Sequence, residues 1–212
     1  MVDTPSKTVV ARMSRYLRQL ERAVSEGRNT ISSKILGEML SVSDSQVRKD
    51  LARLEPVGHP GVGFRCDELI AAIRRFLGVV DTWPIVVVGC GNLGQALIGY
   101  KGFSARGFKI AGAFDISRDL IGKSVHGVTI QDFADLRAEI ADKNVQLAAL
   151  CVPTDRAQVT AEDLVKSGIG GILNFAPVFL SLPGNVHVSY VDLTIEMEQL
   201  VFAVVQNQNR SL

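Results

Sequence analysis

Ile85-Val86-Val87-Val88-Gly89-Cys90-Gly91-Asn92-Leu93-Gly94 leads into an apolar helical pattern, which Lys109-Ile110-Ala111-Gly112-Ala113-Phe114-Asp115 follows. A buried strand, a glycine turn, a helix and a second strand ending in an acid make a complete dinucleotide-binding unit. Gly89 permits a sharp turn, Gly91 a close approach of backbone to pyrophosphate, and Gly94 close packing of helix on strand. Asn92 and Leu93 open a helix whose first N–H groups point at phosphate, and Cys90 fills a small slot in the loop. Asp115 follows Gly94 by 21 residues, close to the spacing of about 20 at which a carboxylate accepts from a ribose hydroxyl, and this favours NAD over NADP. Glycine turns also end strands for packing reasons alone, and Asp115 could instead cap a short helix at 117–121.

Outward from this unit the pattern continues as α/β. Strands are expected at 146–152, 169–173 and 186–191, with a helix at 155–166, which implies a mostly parallel, doubly wound sheet. A composition of 47% apolar residues suffices for a core. No apolar run is long enough to span a membrane and no secretory leader is recognisable, so a soluble, cytoplasmic protein is expected. Cys66, Cys90 and Cys151 are odd in number and far apart, which suits neither a disulfide framework nor a metal cluster.

The charge divides unevenly. Residues 1–80 hold 13 Lys/Arg against 9 Asp/Glu, and the remainder 10 against 13. The basic part also carries a motif. Val10, Met13, Leu17, Leu20 and Val24 share a helical face, with Pro5 at its first turn and Gly27 as its stop. Ser32 or Ser33 can cap a second helix bearing Ile35, Leu36, Met39 and Leu40. After a turn at Ser41-Val42, Ser43-Asp44-Ser45-Gln46 caps a third helix expected over 46–55. This is a helix-turn-helix that would project Ser45, Gln46, Arg48, Lys49 and Arg53, followed by a glycine- and proline-rich wing that includes His59 and Gly61. A three-helix packing or dimerisation domain with a solvated basic face is the alternative. Asp67 begins a linking helix that ends at Gly78. The expected domains are 1–80, 81–191 and a C-terminal helix within 192–212.

Taken together, Tyr16-Leu17-Arg18, Gln46-Val47-Arg48-Lys49-Asp50-Leu51, Gly61-Val62-Gly63-Phe64, the glycine loop, Tyr100-x-Gly102-Phe103 and Gly170-Gly171-Ile172-Leu173-Asn174-Phe175-Ala176-Pro177 resemble the Rex family of redox-sensing transcriptional repressors over nearly the whole chain. The resemblance implies a homodimer with an N-terminal winged helix on pseudo-palindromic operator DNA, a Rossmann domain binding NAD(H), and a domain-swapped C-terminal helix. It implies release of DNA by NADH. It also implies a nicotinamide site formed by Val152, Pro153, Asn174, Ala176 and Pro177 with Tyr100 of the partner subunit, where the desolvation cost of the cationic ring disfavours NAD⁺. Arg18 and Asp192 match a salt bridge that distinguishes the two states. The chain departs from the family at Arg53-Leu54-Glu55-Pro56 and His59-Pro60: the wing lacks its usual basic residue before Gly61, and Glu55 adds a negative charge, both of which lower the expected DNA affinity.

Two other readings compete. A small NAD-dependent oxidoreductase would need an acid–base group over a substrate pocket. The three histidines, His59, His126 and His187, do not converge in sequence, and about a hundred residues after Asp115 leave little room for a catalytic domain. A coenzyme A-binding Rossmann protein would share the glycine loop. The apolar C-terminal helix, with Ile195, Met197, Leu200, Val201, Phe202, Val204 and Val205, needs a large covering surface.

Overall fold

Three serines start the first three helices by the same local chemistry: Ser6, Ser32 and Ser43 lie in extended backbone, and each hydroxyl accepts from the N–H three residues on. The computed structural model describes residues 5–54 and 63–209, and it divides into two compact units, Met1–Asp81 and Thr82–Leu212.

In the first unit, α1 (Lys7–Ser25), α2 (Ser33–Leu40), α3 (Asp44–Leu51) and α4 (Cys66–Leu77) surround a core of Met13, Tyr16, Leu17, Leu20, Leu36, Val47, Leu69 and Ile73. Each such side chain contributes on the order of 1.5–3 kcal/mol by leaving water. Two short strands, β1 (Thr30–Ile31) and β2 (Phe64–Arg65), pair antiparallel. Ser41 takes the left-handed conformation, φ 53°, and ends α2. A Cβ on Gly37 would fall on the Val42 carbonyl oxygen, so the turn into α3 closes only over a glycine. Gly78, also left-handed, ends α4.

Three expectations shift here. Pro5 lies before the Ser6 cap rather than in the first turn. The buried face of α1 carries Val9, Met13, Tyr16, Leu17, Leu20 and Ala23, whereas Val10 and Val24 are 37% and 44% exposed. The face is rotated because Tyr16, a residue with a polar tip, packs inward. The third helix runs over Asp44–Leu51 instead of 46–55, since its Ser43 cap admits Asp44 as the first helical residue.

The second unit is a seven-stranded sheet of order β5-β6-β4-β3-β7-β8-β9. It is built from β3 (Trp83–Val88), β4 (Phe108–Asp115), β5 (Ser124–Val125), β6 (Val128–Asp132), β7 (Leu147–Leu150), β8 (Gly171–Asn174) and β9 (His187–Tyr190). All neighbours are parallel except β5 and β6. The helices are α5 (Asn92–Ile98), α6 (Lys101–Ser104), α7 (Leu136–Asp142), α8 (Thr154–Lys166) and α9 (Leu193–Asn209). Val86, Val88, Phe114, Leu150, Leu164 and Ile172 are buried at the centre. The β5–β6 hairpin and α7 have no counterpart in the expected elements. The hairpin turns at His126 and Gly127, φ 50° and 82°, a two-residue geometry that follows strand twist and that histidine does not signal. Residues 117–121, the alternative helix start for Asp115, form a hydrogen-bonded turn in which Leu120 and Ile121 N–H both donate to the Ser117 carbonyl. Helix α9 buries no residue; Leu193, Ile195, Met197, Leu200, Val201, Phe202, Val204 and Val205 are all exposed. Among the described residues, no helix is long and apolar enough to cross a membrane.

Candidate functional site

Strand β3 lies where the strand order reverses, with β4 on one side and β7 on the other, and ligands of open α/β sheets bind at the carboxyl ends of such strands. The three glycines after β3 are held differently. Gly89 has φ 89°, and a Cβ there would lie 2.5 Å from the Cys151 carbonyl oxygen. A Cβ on Gly94 would fall on the Gly89 carbonyl oxygen. Both positions are closed by this chain's own backbone. At Gly91 a Cβ would meet nothing within 4 Å among the described residues, so none of them requires glycine there. That open side, beside the uncapped first turn of α5, fits a pyrophosphate received on backbone N–H groups. Asn92 and Leu93 are exposed in that turn, and Gly94 is buried.

Asp115, the last residue of β4, uses both oxygens locally: Oδ2 accepts from Cys90 N–H at 2.6 Å and Oδ1 from Ser117 N–H at 2.8 Å. The first bond ties the acid to the glycine loop and the second caps the start of the turn that follows. A carboxylate has about four acceptor positions, so two remain for a ribose.

A cleft of about 650 Å³ opens beside the loop and is lined by Gly89, Gly91, Asp115, Val152 and Pro153, together with the apolar Ile116, Phe133 and Val159. This is the size and mixed character of a cofactor site. Asp155, Arg156 and Asp163 also line it. These, with Ile116, Phe133 and Val159, are residues that sequence reading missed. They come together from α8 and from the chain just after β4 and β6, segments far apart in sequence, although Asp155 and Arg156 at a helix start after a strand were a usable signal.

Asn174, Ala176, Pro177 and Tyr100 are not in that lining. The Asn174 carboxamide is fully buried; its Nδ2 donates to the carbonyls of Ala176 at 3.1 Å and Val178 at 3.0 Å, and its Oδ1 accepts from Ala176 N–H at 2.9 Å. It shapes the loop after β8 and has no donor left over for a ligand. Ala176 is buried and Pro177 exposed. Tyr100, 58% exposed, stands edge-on to Phe103 at 5.3 Å and lines a separate hollow of about 490 Å³ with Phe108, Lys109 and His126. Burial pushes the thiols of Cys90 and Cys151 up to about 11 and about 12, so both are protonated near neutrality and are poor nucleophiles. Cys90 packs as a small buried side chain. Among the described residues, no group of three His, Cys, Asp or Glu could hold a metal ion.

In the first unit, α3 exposes Ser45, Arg48 and Lys49, and Arg53 is exposed just beyond it. Arg48 donates to Asp44 at 2.7 Å, an exposed pair one turn apart. Gln46 is half-buried, and its Nε2 donates to Asp50 at 2.9 Å. Asp50, 1% exposed, also receives Arg12 through Nε at 2.5 Å and Nη2 at 2.7 Å, and the Tyr16 hydroxyl at 3.0 Å. Burial alone would raise its pKa, but the hydrogen bonds from Arg12, Tyr16 and Gln46 outweigh that and hold the carboxyl below its ordinary range. The Tyr16 hydroxyl is pushed up to about 12, by burial and then by its bond to Asp50. This network was missed in the sequence. Its signal was Arg12 and Tyr16 one turn apart beside apolar residues of α1, with an acid on the apolar side of α3. Arg18 is exposed on α1, and Asp192 caps α9, accepting from Thr194 N–H at 2.9 Å. His59 and Gly61 lie outside the described residues.

These two sites can be set beside known proteins. A family model described as a putative DNA-binding protein N-terminus matches residues 5–52, and one described as a CoA binding domain matches residues 80–178. The redox-sensing transcriptional repressor Rex of Chloroflexus aurantiacus is 37% identical over 206 residues, 97% of each chain. Two crystal structures of RSP, each 33% identical to this chain, also match. The complex with β-NAD⁺ and operator DNA has a TM-score of 0.92 and covers 98% of this chain and 96% of that one. The complex with β-NADH has a TM-score of 0.86 and covers 98% and 97%. With a helix-turn-helix at one end, a nucleotide cleft at the other and an alignment that runs through both, the chain belongs to the Rex family of redox-sensing transcriptional repressors.

Proposed function

We propose that this protein is an NAD(H)-responsive repressor: α3 sits in the major groove of operator DNA, the cleft beside Gly91 takes the dinucleotide, and NADH releases the DNA. The observation that carries this is the open side of Gly91, a glycine that no described residue requires, placed beside Asp115 in a chain that also exposes Ser45, Arg48 and Lys49. RSP, similar along 98% of this chain, was crystallised with NAD⁺ and operator DNA and with NADH. The protein is a DNA-binding regulator rather than an enzyme, acting in the cytoplasm.

The functional unit is a homodimer. Eight large apolar side chains of α9 are exposed, and a helix apolar on most sides needs cover; a second copy supplies it. Removing residues 192–209 and measuring mass by sedimentation tests this, with a monomer expected.

Because an NADP 2′-phosphate would meet the Asp115 carboxylate, NADH is favoured over NADPH. Coenzyme A is the second reading, since that family model covers the same unit. Its 3′-phosphorylated ribose would face the same negative charge. Calorimetry with NADH, NAD⁺, NADPH and coenzyme A, combined with fluorescence anisotropy on a selected duplex, decides between them. NADH should bind tightest and alone displace DNA. Displacement by coenzyme A, or DNA binding indifferent to NADH, would reject the sensor reading.

A further inference from the structure

The buried carboxylate Asp50 meets the outer side of its own helix, α3, through Gln46, while Arg12 and Tyr16 hold it from α1. An ionised carboxylate only accepts hydrogen bonds, so a carboxamide that meets it must turn its NH₂ inward. Asp50 Oδ1 receives both Arg12 Nη2 and Gln46 Nε2, and Oδ2 receives Arg12 Nε and Tyr16 Oη. With both oxygens engaged from α1, Asp50 cannot swing with Gln46. The amide is thereby fixed with Nε2 toward Asp50 and Oε1 on the opposite side. A free glutamine could present either end to a base edge.

We infer that Asp50 is a positioning residue for base readout: it sets Gln46 so that Oε1 faces the major groove and accepts from an exocyclic amine, adenine N6 or cytosine N4. This rests on the reading of α3 as the recognition helix.

The test uses the full-length protein. Duplexes are selected from random DNA, and anisotropy is measured on the selected duplex and on versions in which one base is replaced by an analogue without its exocyclic amine. At a single position, amine removal should weaken wild-type binding about fivefold to tenfold. Gln46→Ala should weaken binding of the selected duplex by the same factor, and amine removal should then cost it nothing more. Asp50→Asn can meet either end of the amide, so preference at that position should shrink to within about twofold while the salt dependence from Arg48 and Lys49 is unchanged. Amine removal that weakens wild type and Gln46→Ala equally overturns the inference, as does an Asp50→Asn protein with its preference intact. Should Asp50→Asn fail to fold, the wild-type protein decides: a fixed Oε1 only accepts, so a base with a carbonyl in place of the amine should bind no better than the amine-free analogue, and binding regained with the carbonyl would show that the amide turns and overturn the inference. A protein that selects no duplex removes both the DNA reading and this inference. A selected duplex indifferent to Gln46→Ala removes this inference only.

Discussion

Helix α3 and the glycine loop before α5, the two surfaces proposed to meet a negatively charged ligand, are held in place by different kinds of atoms. Behind α3, three side chains converge on one buried charge, Asp50. Behind the loop, backbone meets backbone: Gly89 against Cys151, and Gly94 against Gly89. A side-chain network is editable by one substitution or one proton, because a charge left unpaired in the interior is costly. A backbone contact carries no titratable group. It tolerates pH, but it tolerates no added carbon.

The comparison is most exposed at Arg12. Replacing it with Ala leaves Asp50 buried without its cation, and the first unit should lose about 3 kcal/mol, near the lower end for a broken buried pair because Arg12 keeps some solvent contact. Urea melts followed by circular dichroism check this, and a loss under about 1 kcal/mol would mean that α3 is held by its apolar face alone. Acid should act on the same network. Because the folded pKa of Asp50 lies below its ordinary value, its stabilising contribution is complete above about pH 4, the range of an unfolded Asp, and is lost as pH falls through the folded value. Melting temperatures of wild type at pH 7 and pH 3 should differ by more than those of Asp50→Asn.

Gly94→Ala probes the other side. Its Cβ would fall on the Gly89 carbonyl oxygen, so α5 must move off β3, at a cost of roughly 1–3 kcal/mol. Calorimetry should find NADH binding abolished, and retention of full affinity would show that the loop is softer than its contacts suggest. Asp115→Ala is milder: NADH affinity should fall about tenfold, one lost charge-assisted hydrogen bond, and the preference over NADPH should close. Arg48→Ala and Lys49→Ala should have the smallest effect of these near physiological salt, and their loss of DNA affinity should grow as salt is lowered. Each removes about one unit from the slope of log K against log salt if it neutralises one phosphate. The exposed Arg48–Asp44 pair is worth under about 1 kcal/mol and does not prevent this.

Much of the fold was legible because its signals are local. The serine caps, Gly78, the strand of β3 and the glycine spacing are set within a few residues, and the parallel sheet follows from their alternation. Helix phase is another matter. Val10 and Val24 fit the apolar stripe of α1 as well as Val9 and Ala23 do, and the choice between them fell to Tyr16, whose hydroxyl reaches Asp50 thirty-four positions away. The same holds at Asn174. Its carboxamide turns back on Ala176 and Val178, and a motif does not say which way a side chain faces.

The sequence by itself determined that there is a dinucleotide loop, that a basic helix-turn-helix precedes it, and that the final helix is too apolar to stand in water. Periodicity, capping and glycine spacing act over a turn or a strand, where neighbours in the chain are neighbours in space. Only the tertiary structure decided that Asp50 is a core residue, that Gln46 is tethered by it, and that Ile116, Phe133 and Val159 share a wall with Asp115. Those relations join residues tens of positions apart, and a buried charge or an apolar wall is defined by what surrounds it, not by what precedes it in the chain.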